Sequence, residues 1–208
     1  MARLVVLGGG VAGHTTATFA AKWLGSEHEV VVVTPNAKWN WIPSNIWVGV
    51  GQMSKEEVTF DLAPVYAKAG ITYKQAKAVS LNPEGDASSD KAFVSIEYTE
   101  AGREGQSESI EYDYIVNATG PKLNFGATPG LGEGSNLGEH TVSVCTADHA
   151  VHASHKLAEA IEKMKATKRA RFAAMSEEDR RESTRKMTEG NIGSKRSDET
   201  KKKQSESA

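Results

Sequence analysis

The 208-residue sequence predicts an α/β fold: a parallel sheet with an inserted antiparallel β meander, followed by a polar tail that is part helix and part disordered. Three observations carry this reading. An apolar run at residues 4–7 leads through a glycine-rich turn into an alanine- and threonine-rich segment, in the order strand, turn, helix. A second apolar run, Val30-Val31-Val32-Val33, has the character of a parallel strand buried on both faces. Residues 93–98 alternate apolar and polar, as a half-exposed antiparallel strand does.

The turn reads Gly8-Gly9-Gly10-Val11-Ala12-Gly13. In a GxGxxG turn the first glycine allows a sharp bend, the second keeps side chains away from a phosphate, and the third lets the helix approach the strand. The helix N-terminus then offers unpaired N–H groups and a partial positive charge to an anion. The motif therefore points to a Rossmann-like domain that binds a dinucleotide; an ordinary glycine turn before a core helix is the alternative. The second strand ends at Thr34-Pro35, where many such folds carry an Asp or Glu for the ribose hydroxyls. A threonine can still hydrogen-bond a ribose, more weakly than a carboxylate.

Residues 36–53 read as a long aromatic loop, with Trp39, Trp41 and Trp47 close to Pro43. It is either a core plug or a wall beside a planar ring. Residues 54–69 read as a helix, with Pro64 counting against its second half. Strands are expected at 70–73, 78–81, 92–98 and 109–112, with turns at 82–86 and 102–105. A further strand, residues 112–117, ends in Ala118-Thr119-Gly120, where small residues let backbone approach a ligand.

Composition limits the function classes. The net charge is −2, but residues 1–150 hold 10 Lys+Arg against 17 Asp+Glu, and residues 151–208 hold 15 against 10. All four tryptophans lie in the first fifty residues, so the core belongs to the first 150. The basic tail mixes acids among its cations and holds one aromatic, Phe172, which favours a solvated tail over nucleic-acid binding. Cys145 is the only cysteine, so no internal disulfide forms, which suits a reducing compartment. No signal peptide and no membrane-spanning run is expected.

These motifs resemble the FAD-dependent pyridine-nucleotide–disulfide oxidoreductase superfamily, and within it the sulfide:quinone oxidoreductase group. The carriers are GGGVAG at 8–13, WNWIPSNIWVGVG at 39–51, YDYIVNATGPKLNFG at 112–126 and SVCTADHA at 143–150. The resemblance covers residues 3 to 165 and implies FAD as cofactor, with sulfide and a quinone as substrates. It implies that Gly8, Gly10, Val11, Ala12 and Gly13 cradle the pyrophosphate and that Thr34 and Pro35 face the adenosine ribose. It also implies that Trp41, Pro43, Ser44 and Asn45 lie along the ribityl and flavin, that Ala78 approaches the adenine, and that Thr119 and Gly120 pass near the flavin. Cys145 matches a redox cysteine beside the ring.

Cys145 also has a local argument. It precedes a helix expected over residues 147–165, and a helix N-terminus biases a thiol toward thiolate. A thiolate can attack sulfur or add to an oxidised flavin. A buried structural cysteine is the competing reading. His149, next to Asp148, is read as a plain helical histidine before a local acid or base.

After Lys165 the resemblance calls for a second glycine-rich turn, and the chain has a polar stretch instead. The domains expected are a partial FAD-binding domain over 1–165 and a charged tail over 166–208, with a helix at 176–188 and disorder at 189–208. The family's second cysteine and its quinone pocket belong to its C-terminal half. The expectation is therefore a truncated or frame-shifted copy of a longer flavoprotein with weak or no turnover; a genuine short protein with a basic tail is the other account. A type II NADH:quinone reductase-like flavoprotein, or a non-catalytic nucleotide-binding remnant or interaction module, remain as alternatives. A cytoplasmic location is expected, with peripheral attachment at the inner face of the membrane and self-association left open.

Overall fold

The computed structural model describes residues 1–87, 89–121, 123–127 and 142–193. The chain divides into two compact units, Met1–His155 and Lys156–Ala208.

In the first unit, β1 (Arg3–Leu7), α1 (Val11–Leu24) and β2 (Glu29–Thr34) form the opening strand–helix–strand. Two short antiparallel strands, β3 (Lys38–Asn40) and β4 (Thr59–Asp61), flank α2 (Asn45–Gly49). Next come α3 (Leu62–Lys68), β5 (Thr72–Asn82), β6 (Phe93–Tyr98), β7 (Ser107–Glu111) and β8 (Tyr114–Asn117). The main sheet runs β7-β6-β5-β2-β1-β8, with β5, β2, β1 and β8 parallel and β5, β6 and β7 antiparallel. The parallel sheet with its inserted meander is the expected α/β fold.

The strand sequences explain why both faces are covered. Val5, Leu7, Val31 and Val33 point to one face and pack with Val94, Ile96 and Tyr98 of the meander. Val6, Val30 and Val32 point to the other, under Ala17 of α1 and Leu62 and Tyr66 of α3. Successive side chains of a strand alternate between faces, so an unbroken valine run serves two layers.

Several expected elements differ. The loop over 36–53 contains β3, a 3-10 turn at Ile42–Ser44, and α2. The helix over 54–69 is instead a 3-10 turn at Glu56–Val58, then β4, then α3. Thr59 and Phe60 suit an extended strand, and Phe60 pairs with Trp39 across the ladder. Pro64 falls at the third position of α3, where its missing N–H costs no helical bond. The strands expected at 70–73 and 78–81 are one strand, β5. It pairs with β2 over its first half and with β6 over its second.

The last helix of the first unit, α4 (Ala147–Ala174), does not stop at Lys165 but runs on as part of the second unit. There α5 (Glu177–Gly193) follows a capping turn in which Ser176 Oγ accepts the Asp179 N–H at 3.1 Å. Ion pairs stand at helical spacing on α5, among them Arg181–Glu177 at 2.6 Å and Lys186–Glu182 at 3.2 Å. Residues 189–193, expected to be disordered, are the last turn of α5. The rest of that expectation, 194–208, lies outside the described residues.

Candidate functional site

A cleft of about 590 Å³ opens at the carboxyl ends of β1, β2 and β8. The chain leaves β1 for β2 on one side, and β8 flanks β1 on the other. Ligands of open α/β sheets bind at this reversal of strand order.

The glycine turn forms the floor. Gly8 has φ 102°, and a Cβ there would lie 2.3 Å from the Ala118 carbonyl oxygen. A Cβ at Gly13 would lie 1.9 Å from the Gly8 carbonyl oxygen. The turn, α1 and the end of β8 are thus packed backbone on backbone, fixed by hydrogen bonds from Gly8 N–H to Val33 O and from Ala118 N–H to Leu7 O, each 2.8 Å. A Cβ at Gly10 would meet nothing within 4 Å, so this position faces open space. His14 N–H donates to Gly10 O at 2.8 Å, so the N–H groups of Val11 and Ala12 precede any helical acceptor, and both residues line the cleft. No acid lies in the first turn of α1 and no side chain caps it. An uncapped, acid-free helix N-terminus beside a side-chain-free backbone fits a dinucleotide pyrophosphate.

Three walls rise from this floor. Thr34, Pro35 and Asn36 form one, with Thr34 buried against Gly9. Residues 76–78 of β5 form a second, beside a β-bulge between Ala78 and Ser80. Residues 118–121 form the third. There Thr119 Oγ1 donates to Asn117 Oδ1 at 2.8 Å, which leaves the hydroxyl oxygen as an acceptor toward a ligand.

Cys145 lines the same cleft and is exposed. Its N–H donates to Ser143 Oγ at 3.0 Å, and the next residue, Thr146, caps α4 by accepting the His149 N–H at 3.1 Å. Asp148, in the first turn of α4, is paired with Lys55.

The structure thus gathers Gly8, Gly10, Val11, Ala12, Thr34, Pro35, Ala78, Thr119, Gly120 and Cys145 around one cleft. Gly13 lies beneath it as a packing position. Trp41, Pro43, Ser44 and Asn45 are not among the lining residues, and of the loop only Asn36 and Ile42 reach the cleft. Trp41 stacks instead on Trp39, 5.6 Å between centroids, and Trp39 on Phe60 at 5.0 Å. Asn45 is fully buried and bonded on both sides of its carboxamide. Asn36 and Lys77 line the cleft without having been singled out. Their adjacency to Pro35 and Ala78 was the available signal.

Behind α1, His14 Nδ1 stands 3.3 Å from the Tyr66 hydroxyl. Burial holds the His14 imidazole below its usual range. Burial, then the neighbouring Tyr73, pushes Tyr66 up to about 12; burial, then the charge of Glu100, pushes Tyr73 up to about 12. All three stay neutral at neutral pH and serve as packing behind the site. Among the described residues no group of His, Cys, Asp and Glu could hold a metal, and no helix is long and apolar enough to cross a membrane.

The model of the pyridine nucleotide-disulphide oxidoreductase family matches residues 2–170. A sulfide-quinone reductase of Aquifex aeolicus is 33% identical over 156 residues, 75% of this chain and 31% of that protein. A mitochondrial sulfide:quinone oxidoreductase of Dictyostelium discoideum is 28% identical over 163 residues, 78% of this chain and 32% of that protein. The solved sulfide:quinone oxidoreductase of Aquifex aeolicus superposes with a TM-score of 0.59 at 31% identity, covering 76% of this chain and 32% of that one. The NDH2 of Plasmodium falciparum, solved with NADH, superposes at 0.58 and 20% identity over 79% of this chain and 30% of that one, a likeness of fold. The chain spans about a third of the length of the curated relatives it matches.

Proposed function

The chain belongs to the pyridine nucleotide-disulphide oxidoreductase family, whose members are FAD-binding flavoproteins, and from that premise we propose an FAD-dependent oxidoreductase of the sulfide:quinone type. One observation carries the reading: Cys145, the chain's only cysteine, is exposed on the same cleft as Gly10 and Thr119.

The Val11 and Ala12 N–H groups hold the pyrophosphate beside Gly10. Thr34, Pro35 and Asn36 take the adenosine ribose, Ala78 the adenine, and Thr119 with Gly120 the flavin end. Cys145 Sγ forms a bond to the sulfur of hydrosulfide; one proton and two electrons leave as it forms. Bound FAD supplies the two-electron acceptor, reoxidised by a quinone. A position at the inner face of the membrane, where a quinone is met, belongs to the same proposal. Support for sulfide over NADH comes from relatedness: the sulfide enzyme of Aquifex aeolicus is 33% identical, whereas the NADH-bound neighbour shares the fold at 20%.

Anaerobic sulfide titration of the FAD-loaded chain tests this. Sulfide bleaches the visible flavin band of the wild type and leaves that of Cys145→Ser intact. Equal bleaching in both, or bleaching by NADH alone, contradicts the sulfide role of Cys145.

A further inference from the structure

Asn45 is completely buried, and it does not touch the cleft. Its Nδ2 donates to the Val144 carbonyl at 3.1 Å, one residue before Cys145 and 99 residues away in sequence. The same Nδ2 donates to Asn40 Oδ1 at 3.0 Å, and Asn40 Nδ2 returns a bond to Asn45 Oδ1 at 2.9 Å. The second hydrogen of Asn40 Nδ2 goes to the Val58 carbonyl at 3.2 Å. Two carboxamides therefore form a closed pair, and each spends its remaining donor on one backbone carbonyl.

We propose that Asn45, backed by Asn40, is the positioning residue that fixes Cys145 at the cleft. A leucine would fill the same space, but a buried amide pair also fixes direction, because every misaligned geometry leaves a polar group without a partner. The surroundings hold the same segment. A Cβ at Gly49, on the helix that begins with Asn45, would stand 3.0 Å from Val144 Cγ1. Val144 packs with Val48, Val58, Ala147 and Ala150. The thiol itself is exposed, so its position is inherited from the backbone on its N-terminal side and from the cap of α4 on the other. The purpose of the clamp rests on the proposed role of Cys145; the clamp itself does not.

The single cysteine makes the test direct. A nitroxide attached to Cys145 of the full chain reports this one point by its electron paramagnetic resonance line shape. The wild type shows a restricted label. Asn45→Ala shortens the label's rotational correlation time at least threefold, while Ile110→Ala, a truncation in the meander core, leaves it unchanged. Asn40→Ala, which removes the backing amide, gives the same direction of change where Asn45→Ala does not fold. A label equally restricted in wild type and in the folded asparagine variant overturns the clamp, as does equal mobilisation by Ile110→Ala. Adding FAD to the labelled wild type broadens the spectrum further. A label that ignores FAD counts against the flavin cleft and leaves the clamp standing.

Discussion

A methyl group at Gly13 would sit 1.9 Å from the Gly8 carbonyl oxygen, and one at Gly10 would meet nothing within 4 Å. The two glycines therefore fail differently. Gly13→Ala must part α1 from the turn and is expected to cost about 1–3 kcal/mol, read as a thermal midpoint lowered by several degrees. Gly10 has φ −74°, which alanine tolerates. Gly10→Ala is expected to change stability by under about 1 kcal/mol and to lower FAD affinity about tenfold, measured by flavin fluorescence quenching. His14 offers a pH test. Its folded pKa lies below the unfolded value of 6.5, so the unfolded chain binds the proton first. Its contribution is full above 6.5 and is lost as pH falls from there toward the folded pKa. Urea midpoints should decline between pH 7 and 5, and less steeply in His14→Gln. Glu108 titrates in a separate window. Desolvation pushes its carboxyl up, but bonds from Tyr98 and Lys74 more than offset this, so its contribution is lost only below about 4.5. The packing roles of Gly8 and Gly13 were legible because turn chemistry is local. The role of Asn45 was not, because its partner carbonyl is 99 residues away.

Elements were legible where period and chemistry agreed. The valine run of β2 and the alternation of β6 each name a single structure. Residues 54–69 carried apolar positions compatible with a helix, and the strand β4 emerged because Phe60 finds Trp39 across the ladder. The true helix of that region, α3, buries Leu62 completely against β2 and α1. Leu62→Ala is expected to cost about 2–5 kcal/mol by denaturant unfolding. Leu157→Ala, at an exposed site on α4, is expected to stay within about 0.5 kcal/mol. A large cost at Leu157 would mean that the stretch of α4 beyond His155 carries more packing than its exposure indicates.

At the scale of the molecule, the three buried clusters are built from residues 4–151, and the acidic excess lies in the same part of the sequence. The second unit is held by i,i+3 and i,i+4 ion pairs and by Arg180 over Phe172, interactions worth little each at exposed sites. Hydrogen exchange should therefore protect β1, β2 and β5 most and residues 156–193 least. The gathering of residues 8–12, 34–35 and 118–120 around one cleft was readable because its parts are strand ends and glycines. The stacking of Trp41 on Trp39 and of Trp39 on Phe60 was not readable, because it depends on a strand partner some twenty residues further along the chain. The measurement that tests the central claim most directly is the visible spectrum of the purified chain after incubation with FAD and desalting, beside Gly10→Ala. The account predicts a retained flavin spectrum in the wild type, at up to one FAD per chain, and a smaller one in the variant. A colourless wild type, or equal retention in both, would contradict the assignment of the Gly8–Cys145 cleft to FAD.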